Sequence, residues 1–168
     1  MPGFTCRSCG QFHADLPMHY GAEAPIQWYS IAPEEVERRG LLSRDQCIID
    51  DQFFFIVGNL EIPVIGSEER FSWDVWVSLS DRNFARACEL WEQPGRESEP
   101  PYFGWLSTAL PGYPETVNLS TMVQTREVGQ RPSVQLEPTD HPLAVEQREG
   151  ITMARVQEIA ELVLHGQS

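Results

Sequence analysis

The sequence predicts an α+β fold: a mostly antiparallel sheet packed by two or three helices. Three observations carry that expectation. Phe71, Trp73, Val75, Val77 and Leu79 alternate with Ser72, Asp74, Trp76 and Ser78, the period of a half-buried strand. Phe84, Ala87, Cys88 and Trp91 recur at helical spacing, as do Met153, Val156, Ile159, Ala160 and Val163. Between these helical segments lie short apolar runs punctuated by many of the 13 prolines and 12 glycines, the texture of strands joined by irregular loops.

In chain order, residues 1–20 form a small head around Phe4, Cys6, Cys9, Gly10, Phe12 and His13. Ser30 to Gly40 reads as a short helix, with Pro33 in the first turn, Glu34 and Glu35 at its positive end, and Arg38 and Arg39 before a stop glycine. Phe53–Val57 and Leu60–Val64 flank Gly58-Asn59 and predict either a hairpin or one interrupted strand. Ser80 suits the N-cap of the following helix, which Pro94-Gly95 ends. That helix places Cys88 in the core. Residues 100–114 lack a usable period, 117–126 and 133–137 read as strands with a turn near Gly129, and a helix over 152–164 closes the chain. With no repeat and no linker, residues 1–168 are expected to form one domain, with 1–20 as a metal-binding head.

The formal charge is −13, from 25 acidic residues and 12 arginines, with no lysine. So negative a surface repels phosphate backbones, which argues against a nucleic-acid partner. The absence of lysine excludes Schiff-base and phosphate-loop chemistry. No apolar run is long enough for a membrane helix, and residues 1–20 lack the pattern of a signal peptide. A cytoplasmic protein is the expectation, with its four cysteines as thiols or metal ligands.

Cys6-x-x-Cys9 followed by Gly10 is the spacing that brings two thiolates into one coordination sphere. An N-terminal zinc-binding turn thus joins the predicted fold, and structural zinc is the expected cofactor. The expected ligands are Cys6, Cys9, Cys47 and one histidine, His13 ahead of His19. Free thiols or a redox pair are the alternatives, although too few residues precede Cys6 for the strand that a thioredoxin-like pair follows.

Other candidate sites are less specific. Asp140-His141 places an acid beside a potential base, Arg148 could grip a carboxylate or phosphate, and Tyr102 and Trp105 could anchor a protein partner. Each also has a plain reading, as loop hydrogen bonds or as aromatics pinning a loop to the sheet. No dinucleotide, phosphate-loop, HExxH or GxSxG signature is present.

The segments CRSCGQFH, DQCIID, GNLEIPVIG, WDVWVSLSDRNF, PPYFGWLSTALPGYPET and LEPTDHPLAVEQREGIT run over nearly the whole chain. Over them the chain resembles a mainly bacterial family known as domain of unknown function 2199. The resemblance implies that Cys6, Cys9 and Cys47 stand at matching positions, and it brings no activity or substrate. The expected function is a non-catalytic, zinc-stabilised interaction or regulatory domain. A hydrolase using a metal-bound water or His141 is the alternative, and an acidic inhibitor of a basic protein is a weaker one.

Overall fold

The structure is a computed structural model that describes residues 3–165. Its head is a two-residue ladder, β1 (Phe4–Thr5) against β2 (Phe12–His13). β3 (His19–Gly21) leads into a 3-10 turn over Ile26–Ser30. A second 3-10 turn, Pro33–Glu35, runs into α1 (Val36–Arg39), with the proline at the start and the arginines at the end as expected. Then come β4 (Gly40–Leu42), β5 (Gln46–Ile49), β6 (Phe53–Ile62) and β7 (Phe71–Leu79). The remaining elements are α2 (Asp81–Glu89), β8 (Tyr102–Leu106), β9 (Ser120–Gln124), β10 (Ser133–Leu136), α3 (Pro142–Glu149) and α4 (Met153–His165).

The β6–β7 hairpin is the spine, paired without interruption from Phe54↔Leu79 to Ile62↔Phe71. Gly58-Asn59 therefore makes neither a turn nor a bulge. Gly58 is required by close approach: a Cβ there would meet Val134 Cγ2 at 2.6 Å and the Pro132 carbonyl at 2.8 Å. The outer edge of β6 takes β5 at one end and β10 at the other, and β7 takes β8 and β3 likewise. Because β8, β9 and β10 follow as an antiparallel series, the sheet curls until β10 meets β6.

The result is a partial barrel. It is α+β as expected, but the sheet is mixed: β3 runs parallel to β7, and β10 runs parallel to β6. Four helices are present among the described residues, not two or three. The unforeseen one, α3, hid behind a mixed polar pattern with little helical period.

Two apolar clusters use the two faces of the spine. Leu60, Ile62, Phe71, Trp73 and Val75 point into the larger one, closed by Leu143 of α3 and by Val156, Ile159 and Ala160 of α4. Ile31, Cys47, Ile49, Phe55, Val57 and Trp76 form the smaller one, covered by Trp28 and Val36. Each face buries a tryptophan whose indole N–H finds an oxygen: Trp73 donates to the Tyr113 hydroxyl (3.4 Å) and Trp76 to the Ala22 carbonyl (3.0 Å). Cys88 does not join the core. It is exposed on α2 and accepts from Gln46 Nε2 at 3.3 Å, while Phe84 is the helix's buried anchor.

Ser80 caps α2 by accepting from the Asn83 N–H (3.1 Å), and Arg86 of that helix donates to Glu99 at 2.7 Å. The Tyr102 hydroxyl donates to the same carboxylate. Arg86 first, then Tyr102, hold the Glu99 carboxyl below its ordinary 4.5. A depressed folded pKa means that this stabilisation is complete above the ordinary value and is lost as pH falls through the folded one. Urea unfolding of Glu99→Gln should thus show a deficit against the parent that is full above about pH 5 and shrinks below it. A deficit independent of pH would contradict the assignment.

Candidate metal centre

The head places its ligands by short-range geometry. The Cys6 N–H donates to the Gln11 carbonyl (2.9 Å) and the Gly10 N–H to the Cys6 carbonyl (2.8 Å), folding the CxxCG segment into a tight turn. Gly10 has φ +74°, a left-handed conformation that glycine adopts without strain. The β1–β2 ladder sets His13 opposite Phe4, their rings 5.2 Å apart.

The fourth group comes from the far end of the chain. His165, in the last turn of α4, brings Nε2 to 3.0 Å from Cys6 Sγ, while His13 Nε2 lies 3.4 Å from Cys9 Sγ. All four ligand atoms lie within 4.8 Å of one another. A tetrahedral zinc with sulfur at about 2.3 Å and nitrogen at about 2.0 Å has edges of roughly 3.3–3.8 Å, so small side-chain shifts would close the site. Cys2His2 is a donor set that fits zinc.

α4 is fastened to this turn by one ion pair. Glu161 accepts from the Arg7 backbone N–H at 2.6 Å and from the Arg7 guanidinium at 2.8 and 3.0 Å. Glu161 and His165 stand one helical turn apart on the same face. The buried stripe of α4 accordingly holds Glu161, and Val163, expected inside, is exposed. Arg7 holds the Glu161 carboxyl below its ordinary value through its side chain and then its N–H.

Burial pushes the Cys6 thiol up. The backbone N–H groups of Cys9 and Ser8, with His165 and the Cys9 side chain, outweigh it and bring the thiol to about 6. A thiolate at neutral pH is the form that binds metal.

Cys47, expected as the third thiolate, belongs elsewhere. It lies on β5, fully buried in the smaller apolar cluster, and does not join the four-residue group. Burial pushes its thiol up to about 12, so it is a neutral core side chain. His19 is also remote from the group, on β3 with Nε2 2.9 Å from Asp74 Oδ2.

His141 is the N-cap of α3. Its Nδ1 accepts from the Leu143 N–H (3.1 Å), which puts the proton on Nε2, 3.0 Å from the Glu115 carbonyl. Both ring nitrogens are thus engaged with backbone. Arg148 donates to the Thr139 carbonyl at 2.8 Å and ties the same loop. Residues 102–106 alternate in and out. Tyr102 is buried, and Trp105 is exposed beside Phe103 with the rings edge to face at 4.9 Å. No helix among the described residues is long and apolar enough to cross a membrane.

A family model described as "Uncharacterized protein conserved in bacteria (DUF2199)" matches residues 5–151. The chain belongs to that family. The matched stretch takes in Cys6, Cys9 and His13 and stops short of His165. No curated protein and no solved structure matches the chain.

Proposed function

We propose that this member of the family is a zinc-stabilised domain that acts by binding a partner and not by catalysis. The observation that supports this reading is the four-residue cluster of Cys6, Cys9, His13 and His165. Four protein donors fill a tetrahedron, whereas a catalytic zinc keeps one position for water or substrate. The ion would join the head to the last turn of α4, alongside the Arg7–Glu161 pair.

The outer face of β8 and β9 is the partner surface in this reading. Phe103, Trp105 and Met122 are exposed there, and Phe103 pairs directly with Met122. Exposed aromatic anchors of this kind carry much of the binding energy in protein interfaces.

The test is elemental analysis of the purified parent beside His165→Ala. The parent should carry zinc in an equimolar ratio, and the variant should lose most of it. Undiminished zinc in the variant would remove His165 from the site and reopen a position on the metal.

A further inference from the structure

We propose that the cavity between the end of α2 and the 125–132 loop binds a small monocarboxylic acid with an apolar body. The cavity has a volume of about 260 Å³. That is slightly below the range of pockets for drug-sized ligands, so its occupant is small. Ile56, Val57, Leu90, Trp91, Val123 and Val128 supply apolar walls.

The polar part of the lining decides the ligand's charge. Arg96 is buried beneath the loop and donates to the carbonyls of Arg126 (2.7 Å), Trp91 (2.9 Å), Glu127 and Gln130 (both 3.0 Å). Its guanidinium is used to shape the loop, with no carboxylate opposite. Arg126 donates through Nε to the Arg131 carbonyl (2.7 Å) and through Nη2 to Asn59 Oδ1 (2.5 Å). Both partners are neutral, and among the described residues only two of the five guanidinium N–H groups are engaged.

Neither arginine makes an ion pair among the described residues. In a chain with twice as many acids as arginines, two such cations on one cavity are a strong local departure. Of the acids on the lining, Asp45 is held by Arg131 at 2.9 Å and Glu92 is exposed. One guanidinium with donors to spare matches one carboxylate, and the hydrophobic walls match a short hydrocarbon or ring.

The experiment is a ¹H–¹⁵N titration of the full chain with hexanoate and, separately, with hexanol. Hexanoate should shift Leu90, Val128, Gly129 and the Trp91 indole, and should bind about tenfold or more tighter than hexanol. Arg126→Gln should erase that preference. Should that variant fail to fold, Val128→Glu on the exposed loop sets a carboxylate at the rim and should weaken hexanoate while sparing hexanol. Equal affinity for the two compounds, shifts away from the cavity, or a Val128→Glu chain that binds hexanoate undiminished would each overturn the proposal.

Discussion

Replacing Cys6 by serine should release the zinc and lower the unfolding temperature by about 8–16 °C. The range follows from mass action. A ligand present at about a thousand times its dissociation constant stabilises the folded state by about 4 kcal/mol. A chain of this size shifts by about 2–4 °C for each kcal/mol. The effect is less than total unfolding because the smaller apolar cluster lies wholly outside the head, and the larger one takes only Phe4, Cys6, Leu16 and Met18 from residues 1–20. It is large because β1 and β2 pair over only two residues, too short a ladder to stand alone. Differential scanning fluorimetry of both proteins, with and without a chelator, gives the measurement. The parent with chelator should melt near the variant. A Cys47→Ser chain should also be destabilised, because it buries a hydroxyl, yet it should keep its zinc.

Arg96→Met should destabilise the chain by about 3 kcal/mol without changing its zinc content. The guanidinium reaches four carbonyls, three of them within residues 126–130. Methionine can fill part of the volume but donates to none of them, and a carbonyl left without a partner costs about 1–3 kcal/mol when water cannot reach it. The turn at Gly129 (φ +91°) is exposed, so water would satisfy some of the freed groups. For that reason the total stays well below the sum of four losses. Arg96→Lys, with a point charge and no fork, should recover only part of the deficit. Chemical denaturation of the three chains checks the order; a methionine variant as stable as the parent would mean that the loop organises itself.

How much of this could be read from the residues depends on whether a feature is local. β7 and the capping of α2 by Ser80 were legible because alternation and an N-cap are short-range patterns. The β6 strand was ambiguous because Gly58-Asn59 is also the chemistry of a turn, and only the passage of β10 beside Gly58 decides between the two. β8 was missed because Gly104 and the surrounding prolines mask its alternation.

The candidate metal site divides in the same way. Cys6, Cys9 and His13 fall within one turn and one ladder, so spacing brought them together. His165 lies 159 positions from Cys6 in sequence, beyond any spacing rule. The helical period did not help: Glu161, one turn before His165, falls outside the expected stripe of Met153, Val156, Ile159, Ala160 and Val163, and only the fold buries its carboxylate against Arg7. Cys47 reads as a candidate thiolate because Asp45-Gln46-Cys47-Ile48-Ile49 gives it no clear side, whereas strand pairing turns the thiol into the apolar cluster beside Trp76.

The most direct test of the account is the X-ray absorption spectrum of the purified chain at the zinc edge. Two sulfur neighbours near 2.3 Å and two nitrogen neighbours near 2.0 Å are expected, with the imidazole scattering pattern of His13 and His165. A third sulfur, an oxygen in the first shell, or no zinc edge at all would contradict the Cys2His2 site.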